Sequence, residues 1–152
     1  MPYNIEIKAV ATDNFFECIK LEVAESQKSF VASNVFTIAQ SYVDKSLIPY
    51  AICDENTVVG LAALEYNSVD KHWITRFMIG EKFQGKGYGR QAMQKLIELQ
   101  AKHDDCERIR LSVVPENNGA ITFYEKTGFA MTDEVIDGEL VMELLLDKKI
   151  FA

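Results

Sequence analysis

Residues 84–91 read QGKGYGRQ, with three glycines at alternate positions, Lys86 and Tyr88 between them, and Arg90 just beyond. Before this stretch, HWITRFMI (72–79) is a short apolar run of strand character. After it, Ala92, Met93, Leu96 and Ile97 recur at helical spacing as far as Lys102. Gly85, Gly87 and Gly89 therefore stand between a strand and the N-terminus of a helix. Glycine adopts positive φ without steric cost and lets a ligand come close to the main chain. The first turn of a helix carries N–H groups that have no intrahelical partner, and the helix dipole adds about half a positive charge there. Such a junction can cradle phosphate oxygens, with Lys86 and Arg90 as candidate charges. On this stretch alone, a tight strand-to-helix connection flanked by solvated basic side chains accounts for the same residues.

Spacing narrows the choice of ligand. A Walker loop needs G-x-x-x-x-G-K followed by Ser or Thr, and a dinucleotide fingerprint needs G-x-G-x-x-G after the first strand of a βαβ unit. Neither occurs; the pattern present is Q-x-x-G-x-G, as Gln84, Gly87 and Gly89. A second constellation follows in PENNGAITFYEKTGF (115–129). There Asn117 or Asn118 can cap a short helix, Ala120 is a small contact, and Tyr124 falls one turn beyond Ala120 on the same face. Alone, Phe123 and Tyr124 would read as core aromatics.

The rest of the chain supplies a frame. IEIKAVA (5–11) alternates like a half-buried strand, and TDNFFECIKLEVAESQ (12–27) reads as a helix capped by Asp13 or Asn14. Val35, Ile38, Ala39, Tyr42 and Val43 form a second helical face behind Ser33 or Asn34. PYAICD (49–54) and TVVGLAALEY (57–66) read as a hairpin, RIRLSVV (108–114) as a strand, and Asp137-Gly138 as the turn between two last strands. The order β α α β β β α β α β β contains seven strands and four helices. It implies an α/β fold built on one mixed, mostly antiparallel sheet with helices on both faces.

Bulk properties exclude several classes. The 152 residues suit a single domain spanning 1–152, which would bury about 70% of the surface exposed by the unfolded chain. The net charge of −7 argues against an extended nucleic-acid surface and favours cationic partners. Cys18, Cys53 and Cys106 are scattered and form no C-x-x-C, so neither a disulfide framework nor a zinc site is indicated, and no metal is expected. MPYNIEIKAV lacks the basic and apolar regions of a signal peptide, and no apolar run is long enough to span a membrane. The expected location is the cytoplasm, without membrane attachment.

Together, the Q-x-x-G-x-G loop and N-N-G-A-I-T-F-Y from Asn117 resemble the GNAT superfamily of acetyl-CoA-dependent N-acetyltransferases. The resemblance implies a sheet splayed between its fourth and fifth strands, here 72–79 and 108–114, with pantetheine in the cleft. It implies that Phe77, Met78 and Ile79 pair with the pantetheine arm and that the amides of Gln84 to Gly89 bind pyrophosphate. Asn117, Ala120, Phe123 and Tyr124 would complete the acetyl-CoA site, where acetyl-CoA is the cosubstrate. Acetyl transfer to an amine requires stabilisation of a developing oxyanion and a proton for the departing thiolate. Tyr124, protonated at neutral pH, is the expected general acid, and the Met78 N–H is the expected oxyanion donor. No cysteine lies in either motif, so direct attack is expected and no acyl-enzyme is required. HWITRF supplies no carboxylate, which leaves the general base unassigned.

VAESQKSFVASN (23–34), read with WITRFMIGEKFQGKGYG, resembles the bacterial spermine/spermidine acetyltransferase group. A polyamine needs spaced carboxylates and apolar or aromatic walls. Glu22, Glu25, Phe30, Tyr42 and Glu65 are the candidate substrate-binding residues for such a small cationic amine. Another small amine, a protein N-terminus, or acetyl-CoA binding without turnover are the rival readings. Superfamily members often pair, which makes a homodimer the expected assembly.

Overall fold

The computed structural model describes residues 3–147. Its strands are β1 (Ile5–Ala9), β2 (Leu47–Asp54), β3 (Thr57–Asn67), β4 (Lys71–Ile79), β5 (Arg108–Val113), β6 (Ala130–Ile136) and β7 (Glu139–Leu145). The α-helices are α1 (Phe15–Lys20), α2 (Asn34–Val43), α3 (Tyr88–Ala101) and α4 (Asn118–Lys126). The strands form one sheet in the order β1-β2-β3-β4-β5-β7-β6, and the expected sequence of elements is the observed one.

Local chemistry explains several boundaries. Ser33 caps α2 by accepting a hydrogen bond from the Phe36 N–H, and Asn117 caps α4 by accepting one from the Ala120 N–H. Asp137 and Gly138 both take positive φ, as the two central residues of a tight hairpin turn between right-twisted strands require. The first helix is shorter than its pattern suggests. It ends at Lys20 because Leu21 turns extended, and the Glu22 carbonyl then accepts the Glu81 N–H at 2.8 Å. Residues 21–24 are thereby drawn toward the end of β4, and helical geometry resumes only as a short 3-10 turn at Glu25–Gln27.

Apolar side chains pack on both faces of the sheet. On one, Ile52, Val59, Ile109 and Leu111 meet Met93, Leu96 and Ile97 of α3, while Phe123 and Tyr124 of α4 pack at its edge. On the other, Cys18 and Val23 meet Ala51, Cys53, Leu61 and Met78. All three cysteines are buried, and burial raises the Cys18 thiol to about 11, which makes it a poor nucleophile at neutral pH. No helix among the described residues is long and apolar enough to cross a membrane.

The pairing of β4 with β5 is the feature that positions the site. It is the parallel pair of the sheet, and it consists of His72 opposite Ile109 and Trp73 opposite Arg110. At this closed end Arg110 is buried between Asp70, Glu134 and Glu143, with its guanidinium over the Trp73 ring. Beyond Trp73 the strands diverge, and no residue of β5 stands opposite Phe77, Met78 or Ile79.

Candidate active site

The divergence opens a cleft of about 540 Å³ between the end of β4, the glycine loop and α4. Its floor is decided by strand parity. Gly80 donates its N–H to Val59 O on β3 at 2.9 Å, and main-chain groups two residues apart on a strand point the same way. The Met78 N–H and C=O therefore face Leu61 on β3, which corrects the expectations that the Met78 N–H is the oxyanion donor and that its main chain pairs with the pantetheine arm. The amides that face the splay are those of Phe77 and Ile79. In agreement, Ile79 O is turned away from β3 and accepts Gln84 Nε2 at 2.8 Å.

The glycine loop forms one wall. Gly85 and Gly87 have φ of 76° and 90°, and a Cβ on either would meet no atom within 4 Å. What these positions require of glycine is backbone conformation, not lack of space. Gly87 is the N-cap of α3 and no side chain caps the helix, so the first-turn N–H groups of Tyr88, Gly89 and Arg90 have no intrahelical partner. Gly89 packs on Phe123, whose ring stacks on Phe77 across the cleft at 5.8 Å.

Side chains fix this loop from both sides. Gln84 Nε2 bonds Ile79 O and also Gln27 Oε1 at 3.0 Å, so its amide clamps the loop to β4 and to the 3-10 turn. On the outer side, Tyr3 stacks on Tyr88 at 4.0 Å and donates its hydroxyl to Lys86 O, while the Tyr88 hydroxyl donates to Asp54 at 2.7 Å. Gln84, Gly85, Gly87, Gly89, Arg90, Asn117, Ala120 and Phe123 line the cleft together with Phe77, Met78 and Ile79. Lys86 and Tyr88 do not; they brace the loop from behind.

Tyr124 lies behind Phe123, with ring centroids 5.5 Å apart, and against Phe129. Burial raises its hydroxyl to about 12.

A smaller channel of about 180 Å³ leads off the cleft over Val23, Val31 and Met78, which border both spaces. Glu22 and Lys28 line it, and the Lys28 ammonium lies 3.5 Å from Glu22 and 2.9 Å from Glu25. The Glu25 hydrogen bond first, then the Glu22 charge, raise Lys28 above the usual lysine value. Asn34 is buried at the channel wall, donating Nδ2 to Cys18 O at 2.9 Å. Phe30 lines the main cleft. Tyr42 lies elsewhere, exposed on α2 with Lys45 over its ring, and the Glu65 carboxylate accepts the Thr75 hydroxyl; neither borders the cleft or the channel. Gln27, Val31 and Asn34 were not evident as site residues, because each is placed by the unwound segment after α1.

The cleft suits a phosphate-bearing thioester cosubstrate. It offers two strand amides without a partner strand and an uncapped helix N-terminus. Although the protein is acidic, no carboxylate lines the cleft among the described residues, and Arg90 does. Residues 12–129 match the acetyltransferase (GNAT) family, and the chain belongs to that family. It is therefore an acetyl-CoA-dependent N-acetyltransferase. It is 33% identical over 147 residues to spermine/spermidine N(1)-acetyltransferase of Bacillus subtilis strain 168, covering 91% of this chain and 97% of that one. A similar fold occurs in spermidine N-acetyltransferase of Vibrio cholerae in complex with CoA and spermine, with a TM-score of 0.72 at 19% identity over 96% of this chain and 98% of that one. The PaiA N-acetyltransferase of Thermoplasma acidophilum in complex with coenzyme A gives 0.69 at 17% identity over 94% and 99%.

Proposed function

We propose that the acceptor is a polyamine such as spermidine or spermine, acetylated on a primary amine by direct attack. The observation that carries this reading is the pairing of Glu22 and Glu25 around a primary ammonium, that of Lys28, beside a channel walled by Val23, Val31 and Met78. Carboxylates that hold one alkylammonium there can hold another, and the apolar wall suits the methylene segments between nitrogens. The relationship to the Bacillus subtilis spermine/spermidine acetyltransferase supports the same class of acceptor.

The residues that would hold acetyl-CoA are Phe77 and Ile79 through their main-chain amides and the loop from Gly85 to Arg90 through its N–H groups, the Gln84 N–H being engaged with Glu81 O. When bound, acetyl-CoA supplies an acetyl group activated as a thioester. The Phe77 N–H, directed into the splay, would stabilise negative charge on an oxygen. As the general acid, Tyr124 would give its hydroxyl proton to the departing thiolate, which requires the phenol, packed behind Phe123 and not itself lining the cleft, to reach the sulfur. Phe123 and Phe77, whose rings stack, line the cleft beside the reacting region.

Thiol release from acetyl-CoA across a panel of amines tests this reading. The expected result is turnover with spermidine and spermine and none with amino sugars. Glu22→Gln is expected to raise KM for spermidine about fivefold, the size of one partly screened charge pair, with kcat little changed. Turnover with amino sugars alone would overturn the polyamine assignment, and binding of acetyl-CoA without thiol release from any amine would favour a binding module.

A further inference from the structure

The start of β4 borders a second cavity, of about 410 Å³, between the sheet and the end of α3. His72, on its wall, is five residues before Phe77, about 17 Å along the strand and away from the cleft. Tyr50, Tyr66, His72 and His103 contribute rings to it, and Gln100 and Asp105 contribute polar groups. No Lys or Arg lines it among the described residues. Lys71 lies outside, with its ammonium 5.9 Å from the Tyr66 ring centroid. Glu65 borders the cavity too, but its carboxylate is engaged with Thr75, and neighbouring strand residues point to opposite faces, so it is turned from Tyr66.

Two observations point to a ligand. Gln100 is 3% exposed, and its Nε2 donates to Trp73 O at 3.1 Å. Reversing the amide would set two oxygens against each other, so its orientation is fixed. Gln100 Oε1 is left buried with no hydrogen-bond partner among the described residues, an arrangement that costs free energy unless a donor is supplied. The second observation is the aim of Asp105. His72 Nε2 at 3.0 Å and the Tyr66 hydroxyl at 2.9 Å hold its carboxylate. The His72 hydrogen bond first, then that of Tyr66, keep its carboxyl below the ordinary aspartate range. An ionised carboxylate, aromatic faces and an unmet acceptor together select a positively charged N–H donor.

We propose that this cavity is a second ligand site that takes a small organic ammonium, its N–H directed at Gln100 Oε1 and its charge facing Asp105 among the tyrosine and histidine rings. The site is separate from the acetyl-transfer cleft and does not depend on which amine is acetylated.

The test is a titration of the full chain, saturated with coenzyme A, with n-butylammonium chloride, followed by calorimetry and by backbone and side-chain amide NMR. Shifts at the Gln100 side-chain amide, His103 and Asp105 are expected. Gln100→Leu and, separately, Asp105→Asn are each expected to weaken that binding at least tenfold while thiol release stays at the wild-type rate. Tetramethylammonium, which has the charge and no N–H, is expected to bind less tightly than butylammonium. The proposal is overturned if those resonances do not move, as they would not if an ordered water satisfies Gln100. It is overturned equally if both variants bind butylammonium as wild type does. Should Gln100→Leu fail to fold, Asp105→Asn at the partly exposed rim decides alone.

Discussion

Tyr124→Phe is expected to lower kcat for acetyl transfer by about 100- to 1,000-fold, the range in which removal of a positioned general acid falls. Phe keeps the ring contacts with Phe123 and Phe129. Burial alone shifts the hydroxyl, with no hydrogen bond contributing, so thermal stability should be close to wild type. A large loss of kcat in a protein that melts normally separates chemistry from folding. The pH profile adds a sign. The acid works while protonated, and burial raises the Tyr124 hydroxyl to about 12. Wild-type kcat should therefore show no descending limb attributable to the phenol between about pH 7.5 and about pH 10, where an ordinary tyrosine begins to ionise. Steady-state thiol release measures both. Unchanged kcat in Tyr124→Phe would remove the phenol from the mechanism.

Gly60→Ala is expected to be the most damaging single methyl group in the fold. A Cβ at this position of β3 would lie 2.4 Å from Met78 O and 2.9 Å from Ile79 Cδ1. The first is a backbone atom in the β3–β4 ladder and cannot swing away. Relief requires β4 to shift at the residues whose amides face the splay. The expected loss is about 2–4 kcal/mol, or a fall in Tm of roughly 5–12 °C for a chain of this size, together with weaker binding of acetyl-CoA. Gly119→Ala is the contrast: its Cβ would meet nothing within 4 Å, and in a helix the change should stabilise by about 0.5–1 kcal/mol. Differential scanning calorimetry of the two variants distinguishes them.

Much of this molecule was readable from its residues. Met93, Leu96 and Ile97 announced the buried face of α3, the pairs Asn117-Asn118 and Ser33-Asn34 announced where two caps fall, and Asp137-Gly138 announced a hairpin, because each signal is local. The motifs placed the cleft, since glycine conformation and a helix N-terminus are also local properties. What stayed hidden depended on neighbours in space. Whether Met78 or Phe77 turns its amide to the splay is fixed by which edge of β4 pairs with β3, and a one-residue change of parity reverses it. The clamp made by the Gln84 side chain was hidden because its partners, Ile79 O and Gln27, are made adjacent only by folding. Tyr88 and the Lys86 carbonyl lie in the motif itself yet meet Tyr3 and Asp54, residues far away in the sequence. Helix α1 ends early for the same kind of reason: the Glu22 carbonyl finds a partner in Glu81. The pairing of His72 with Asp105 likewise exists only once folding sets the start of β4 beside the end of α3.

Hydrogen exchange of individual amides, with and without saturating coenzyme A, bears most directly on the claim that the splay presents Phe77 and Ile79 to the cosubstrate. The expected result is slowed exchange at Phe77, Ile79 and the first turn of α3 from Tyr88 to Arg90, with Met78 slow in both states because it is already bonded to β3. Protection that appears at Met78 on adding coenzyme A, with Phe77 and Ile79 unaffected, would contradict it.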